Sequence, residues 1–158
     1  MRLKTNKTFY RINIRQLLRQ RRKEMAIEWR ESLATGHEEI DNQHKELFKR
    51  FNNLLAACNK GKGKEEVGNL LRFLSDYVIA HFAAEEQLQR KHDFPGYRDH
   101  KKQHDDFIRD LGNIQNEFNV EGASIAVVIR TNKMIVDWLI RHISGTDKEL
   151  ATFLNSLG

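Results

Sequence analysis

In the stretch HFAAEEQLQR, His81 and Glu85 stand four residues apart, and in HKKQH so do His100 and His104. Four residues is close to one α-helical turn, so each pair projects from one side of its helix and can reach a common point. Imidazole nitrogens and carboxylate oxygens offered in this way suit a metal ion. His44 in DNQH, and His142 and Asp147 in HISGTD, are further groups of the same types. Taken singly, each has an ordinary explanation. A buried histidine is commonly a neutral, hydrogen-bonded core residue, and i, i+4 pairs are common as surface salt bridges.

The elements that carry these residues are read from apolar periodicity. Ile40, Leu47, Phe48, Phe51, Leu55 and Cys58 recur at helical steps, and His44 falls on their stripe. The GKGKEE segment, 61–66, breaks the pattern. Val67, Leu70, Leu71, Leu74, Val78, His81, Glu85 and Leu88 mark a second helix, which HDFPG ends at 92–96 because Pro95 disfavours helix at the residue before it. Tyr97, His100, His104, Phe107, Ile108, Leu111, Ile114 and Phe118 form a third stripe. After the NVEGAS turn, 119–124, a fourth runs through Ile125, Val128, Ile135, Trp138, Leu139 and His142. Beyond Gly145, Leu150, Phe153 and Leu154 form a short amphipathic helix that folds back on the rest. Short connections make antiparallel neighbours, so the expected fold is all-α, an up-down-up-down four-helix bundle.

Five of the seven histidines thus fall on buried stripes. Every one of the four helices points imidazole at a shared axis, and Glu85 joins them, where a carboxylate without a partner is expensive. A thiolate-free donor set suits iron and, less selectively, zinc or manganese. The donors also outnumber what one tetrahedral zinc takes, so two metal ions are implied. Asp147 lies five residues beyond His142. At roughly 100° per residue an unbroken helix turns it about 140° away. The helix is therefore expected to end or distort near Gly145, whose backbone freedom allows it.

Composition narrows the remaining classes. The chain has 158 residues, enough for one domain, and a net charge of +5. Residues 1–24 hold nine Lys or Arg against Glu24, a balance of +8, which leaves 25–158 at −3. The expected organisation is a basic leader over 1–24 and a folded domain over 25–158. No specific nucleic-acid surface is expected on the domain, and the leader offers only weak contact with phosphates or an anionic membrane. Met25 is an alternative start. With Cys58 as the only cysteine, an internal disulfide and thiolate-built metal sites are excluded, and a reducing, cytoplasmic setting is expected. The longest apolar run, IAVVI, is far short of a membrane span. No catalytic triad, reactive thiol or separate carboxylate pair points to other catalysis.

The order DNQH, HFAAE, HKKQH, HISGTD resembles the hemerythrin family, specifically its single-domain bacterial members, whose ligands occur as H, HxxxE, HxxxH and HxxxxD. All seven positions match. The resemblance runs from about Met25 to near the C-terminus, includes Trp29 and Gly36, and leaves 1–24 uncovered. It implies two iron ions with an oxo or hydroxo bridge: His100, His104 and His142 on one iron, His44 and His81 on the other, and Glu85 and Asp147 bridging. Three histidines and three bridges fill one octahedron. Two histidines and three bridges leave the second iron a vacant position, where dioxygen is expected to bind reversibly.

The implied role is oxygen storage, delivery or supply to an oxygen-consuming enzyme, rather than catalysis. An oxygen or redox sensor acting through a partner, or a centre that reduces peroxide or nitric oxide, are the alternatives. Leu47, Phe82 and Trp138 are expected to wall the oxygen pocket. Gln89, one turn after Glu85, and Ser144, two residues after His142, stand where the family often has large apolar residues. They predict a wetter pocket and faster autoxidation. His37, near the entrance of the first helix, is either exposed or lines a channel.

Overall fold

Each apolar stripe is a helix in the computed structural model, which describes residues 27–157. The basic leader, 1–24, and Met25 lie outside the described residues. The helices are α1 (Glu38–Asn59), α2 (Gly63–Lys91), α3 (Tyr97–Glu121), α4 (Ile125–Arg141) and α5 (Lys148–Asn155). A 3₁₀ turn, Glu31–Leu33, precedes α1, and a π-helical segment, His142–Asp147, joins α4 to α5. The described residues contain no strand. The fold is an all-α four-helix bundle with a short fifth helix.

Local chemistry sets the ends of these elements. The Asp41 carboxylate accepts from Thr35 N at 2.7 Å, Thr35 Oγ1 at 2.9 Å and Gly36 N at 3.2 Å, which fixes the chain's entry into α1. Ser124 caps α4, its Oγ accepting from Val127 N at 3.1 Å. Gly122 ends α3 at φ 72°, in the left-handed region that favours glycine, and its amide bonds Phe118 O at 2.8 Å. The α1–α2 break is shorter than the six residues expected from GKGKEE, because α2 resumes at Gly63. Gly63 meets the end of α1 so closely that an added Cβ would stand 2.6 Å from Cys58 Sγ.

Antiparallel packing brings the start of α1, the end of α2, the start of α3 and the end of α4 to one end of the bundle. Away from that end the core is apolar, with Phe51, Leu54, Leu71 and Val127 fully shielded. Each such side chain contributes roughly 1.5–3 kcal/mol. Two residues expected on buried stripes are exposed, Ile108 at 38% and Ile125 at 67%. Ile108 sits on the flank beside Phe107, and Ile125 is the first residue of α4, where no neighbouring helix covers it. The coda packs as expected: Leu150 is buried, and the Phe153 ring lies 5.2 Å from Phe94. No helix among the described residues is long and apolar enough to cross a membrane.

Candidate metal centre

At the polar end, four helices and the π-helical segment bring five imidazoles and two carboxylates together. His44 comes from α1, His81 and Glu85 from α2, His100 and His104 from α3, and His142 and Asp147 from the segment that follows α4. All seven are at most 2% exposed. Glu85 Oε1 lies 3.5 Å from His44 Nε2 and 3.6 Å from His81 Nε2. Its other oxygen, Oε2, lies 3.3 Å from His100 Nε2 and 3.2 Å from His104 Nε2. Asp147 divides in the same way, with Oδ2 at 3.2 Å from His44 Nε2 and Oδ1 at 3.2 Å from His100 Nε2 and 3.1 Å from His142 Nε2. The two carboxylates therefore sort the histidines into His44 with His81, and His100 with His104 and His142.

Asp147 reaches this point because the chain winds more widely after α4. A π-helix bonds i to i+5, so residues five apart lie nearly above one another. The distortion expected near Gly145 is present as this π-turn, and the helix does not end there. It continues through the π-turn into α5, and Gly145 is not among the glycines with positive φ.

The outward nitrogens of three rings are also held. His81 Nδ1 donates to Gln43 Oε1 at 2.7 Å, His104 Nδ1 to Glu86 Oε1 at 3.2 Å and His142 Nδ1 to Gln103 Oε1 at 2.9 Å. Thr146 Oγ1 donates to the same Gln103 oxygen at 2.9 Å, which fixes that atom as an acceptor. Protons held on Nδ1 leave lone pairs on Nε2. His104 Nε2 and His142 Nε2 then face each other at 3.1 Å, an arrangement that requires a positive charge between or beside them. The Nε2 atoms of His44, His81 and His100 and all four carboxylate oxygens are buried without a hydrogen-bond partner among the described residues. A donor set of this kind fits metal cations.

Electrostatics describe the same need. Burial pushes the His44 and His100 imidazoles down, but the Asp147 and Glu85 carboxylates close beside them outweigh it and push each up to about 9. Burial pushes His81 down to about 4 and also lowers His142. Against the effect of burial, the imidazoles of His81, His100, His104 and His44 gathered round Glu85 hold it well below the usual carboxylate range. Asp147, opposed by burial and by Glu85, is held low by His142 and His100. Without a cation, protons on His44 and His100 balance the two carboxylates.

Comparison with known proteins agrees with this geometry. A family model described as the hemerythrin HHE cation binding domain matches residues 35–154. The chain belongs to the hemerythrin family. It is 32% identical over 123 residues to a bacteriohemerythrin of Stenotrophomonas maltophilia, covering 78% of each chain. It is similar to the bacteriohemerythrin of Methylococcus capsulatus, 32% identical over 68% of this chain and 80% of the relative. It is also 34% identical to a hemerythrin-like protein of Naegleria gruberi, over 75% of this chain and 86% of that one. The family and a thiolate-free donor set point to a metal centre of iron.

The expected pocket residues of this hemerythrin fare unequally. Leu47 and Phe82 are buried, Phe82 stacking on His104 at 3.9 Å between centroids. Trp138, half-buried, stacks on His142 at 4.1 Å. Ser144 does not face the cluster. It is exposed, and its hydroxyl donates to Ile140 O on the outer side of the helix, because a residue two after His142 points the opposite way. Gln89 is fully buried, but its place on α2 is level with His100.

The sequence reading named Leu139 only as a stripe residue and did not notice Ile143; they are 2% and 0% exposed on either side of His142. It also missed the outer acceptors Gln43, Glu86 and Gln103. Leu139 could have been found from its position three residues before His142. The acceptors sit on partly exposed positions with no periodic signal. His37 is partly buried at the N-cap of α1 and makes no side-chain cap bond.

Proposed function

We propose that this hemerythrin holds two iron ions and binds dioxygen reversibly, serving storage or delivery rather than turnover. In this reading His100, His104 and His142 would hold one ion, His44 and His81 would hold the other, and Glu85 and Asp147 would each offer one oxygen to either ion. The observation that carries it is the division of both carboxylates, one oxygen toward each group of histidines. The His44 and His81 side offers one histidine fewer than the other, so that side is where dioxygen would find room. When bound, the iron pair would supply the electrons that dioxygen binding requires.

The chain's own residues supply the surroundings. Gln43, Glu86 and Gln103 keep protons on the outward nitrogens, so Nε2 of His81, His104 and His142 presents a lone pair inward. Five neutral imidazoles against two carboxylates leave the centre poor in negative charge, which favours reversible binding over cleavage of the O–O bond. Leu47, Phe82, Leu139 and Ile143, all buried, exclude water from the inner face. Trp138 closes the His142 side.

The test is optical. Anaerobically reduced, iron-loaded protein is expected to be colourless, to colour on exposure to dioxygen and to bleach under argon through repeated cycles. Colour that forms once and cannot be reversed would contradict carriage and favour turnover or sensing.

A further inference from the structure

Two of the five imidazoles lack a partner for the outward nitrogen among the described residues: Nδ1 of His44 and Nδ1 of His100, both buried. Gln89 is in the same condition. It is 0% exposed, and neither its amide oxygen nor its amide nitrogen has a hydrogen-bond partner among the described residues. An amide withdrawn from water with both ends unused is rare in a packed interior and calls for an explanation.

The register of α2 against α3 places Gln89 beside His100. Glu86 reaches His104 at 3.2 Å and Arg90 reaches Tyr97 at 3.0 Å, so the residue between them on α2 lies opposite the first turn of α3, which carries His100. Glu85, one turn before Gln89 on the same buried face, already touches His100 Nε2 at 3.3 Å. The Gln89 carbonyl accepts from Phe94 N at 2.9 Å, and the Phe94 ring lies 6.5 Å from the His100 ring. His44, the other imidazole with a free Nδ1, stands on α1 with the Trp29 ring 6.2 Å away.

We propose that Gln89 is a positioning residue for His100. Its amide oxygen takes the Nδ1 proton of that imidazole through one water, a role that Gln43 fills directly for His81 and Gln103 for His142. The contact fixes the tautomer that turns the Nε2 lone pair inward, holds the ring plane and strengthens the nitrogen as a donor. Gln89 then acts on the side of the centre that holds three histidines, where it secures the metal rather than wetting an oxygen pocket. The inference rests on His100 being a metal ligand, as in the function proposed above.

Release of metal to a chelator tests it, with the full chain loaded anaerobically with ferrous iron and separately with zinc. Gln89→Leu keeps the volume and removes the acceptor, and is expected to release one of the two ions about ten- to a hundredfold faster. Gln89→Glu restores an acceptor and is expected to release both at close to the wild-type rate. In the zinc-loaded wild type, nitrogen NMR should show His100 Nδ1 protonated and slow to exchange with solvent.

Equal release from wild type and Gln89→Leu, or equally fast release from Gln89→Leu and Gln89→Glu, would overturn the proposal. So would a His100 Nδ1 proton that exchanges freely in the wild type, a measurement that needs no variant to fold. Wild-type protein holding fewer than two equivalents would overturn the two-metal reading itself, and the inference with it.

Discussion

In the half of the bundle nearer the α1–α2 turn, Phe51, Leu54, Leu71 and Val127 shield one another from water; in the other half the same four helices shield imidazoles and carboxylates. The first half is complete as it stands. Apolar groups need only each other, and their burial is favourable in proportion to area. The second half is incomplete by its own chemistry, since the inward atoms of Glu85, Asp147, His44, His81 and His100 have no hydrogen-bond partner among the described residues. One sequence thus builds a scaffold that folds on apolar packing and a chamber whose stability depends on what enters it.

Substitutions at the two ends should separate these roles. Phe51→Ala is expected to cost about 3–5 kcal/mol in urea unfolding, by the same amount in metal-free and metal-loaded protein. Glu85→Gln keeps the shape and removes the charge shared by the two groups of histidines. Metal at a thousand times its Kd stabilises the wild type by about 4 kcal/mol, and the variant should lose that gain. A Phe51→Ala effect that depended on metal would break the distinction between the ends.

Smaller effects sharpen the boundary of the polar half. Gln103→Leu removes the acceptor shared by His142 and Thr146, and should weaken metal binding about 10- to 100-fold in a competition titration. Ser144→Leu should change unfolding stability by less than about 0.5 kcal/mol and leave the decay of the oxygenated form unaltered, because residue 144 faces solvent. A slower decay in Ser144→Leu would restore the serine to the oxygen pocket against its observed placement.

Much of this arrangement was legible in the sequence because helical periodicity is a strong signal. The stripes from Ile40 to Cys58 and from Val67 to Leu88 located α1 and α2, and Pro95 and Gly122 fall where α2 has ended and α3 ends. Six of the seven clustered polar residues were legible for the same reason, as polar groups on apolar stripes, and Asp147 through its place in HISGTD. The π-turn was not: spacing showed that the helix had to distort between His142 and Asp147, but not that it would widen without breaking. Gln43, Glu86 and Gln103 were hidden because a polar residue at a half-exposed position looks like any surface residue. The placement of Ser144 was an avoidable error, since a residue two positions after an inward-facing one points outward in an α-helix or a π-helix alike.

Anaerobic titration of ferrous iron into the metal-free chain near neutral pH, following bound iron and released protons together, tests the centre most directly. His44 and His100, each pushed up to about 9, hold protons in the metal-free protein at that pH and must lose them when metal binds. The expected result is two equivalents of iron bound per chain, with proton release, and binding that weakens as the pH falls. Saturation at one equivalent, or binding without proton release, would contradict a paired centre built from these seven side chains.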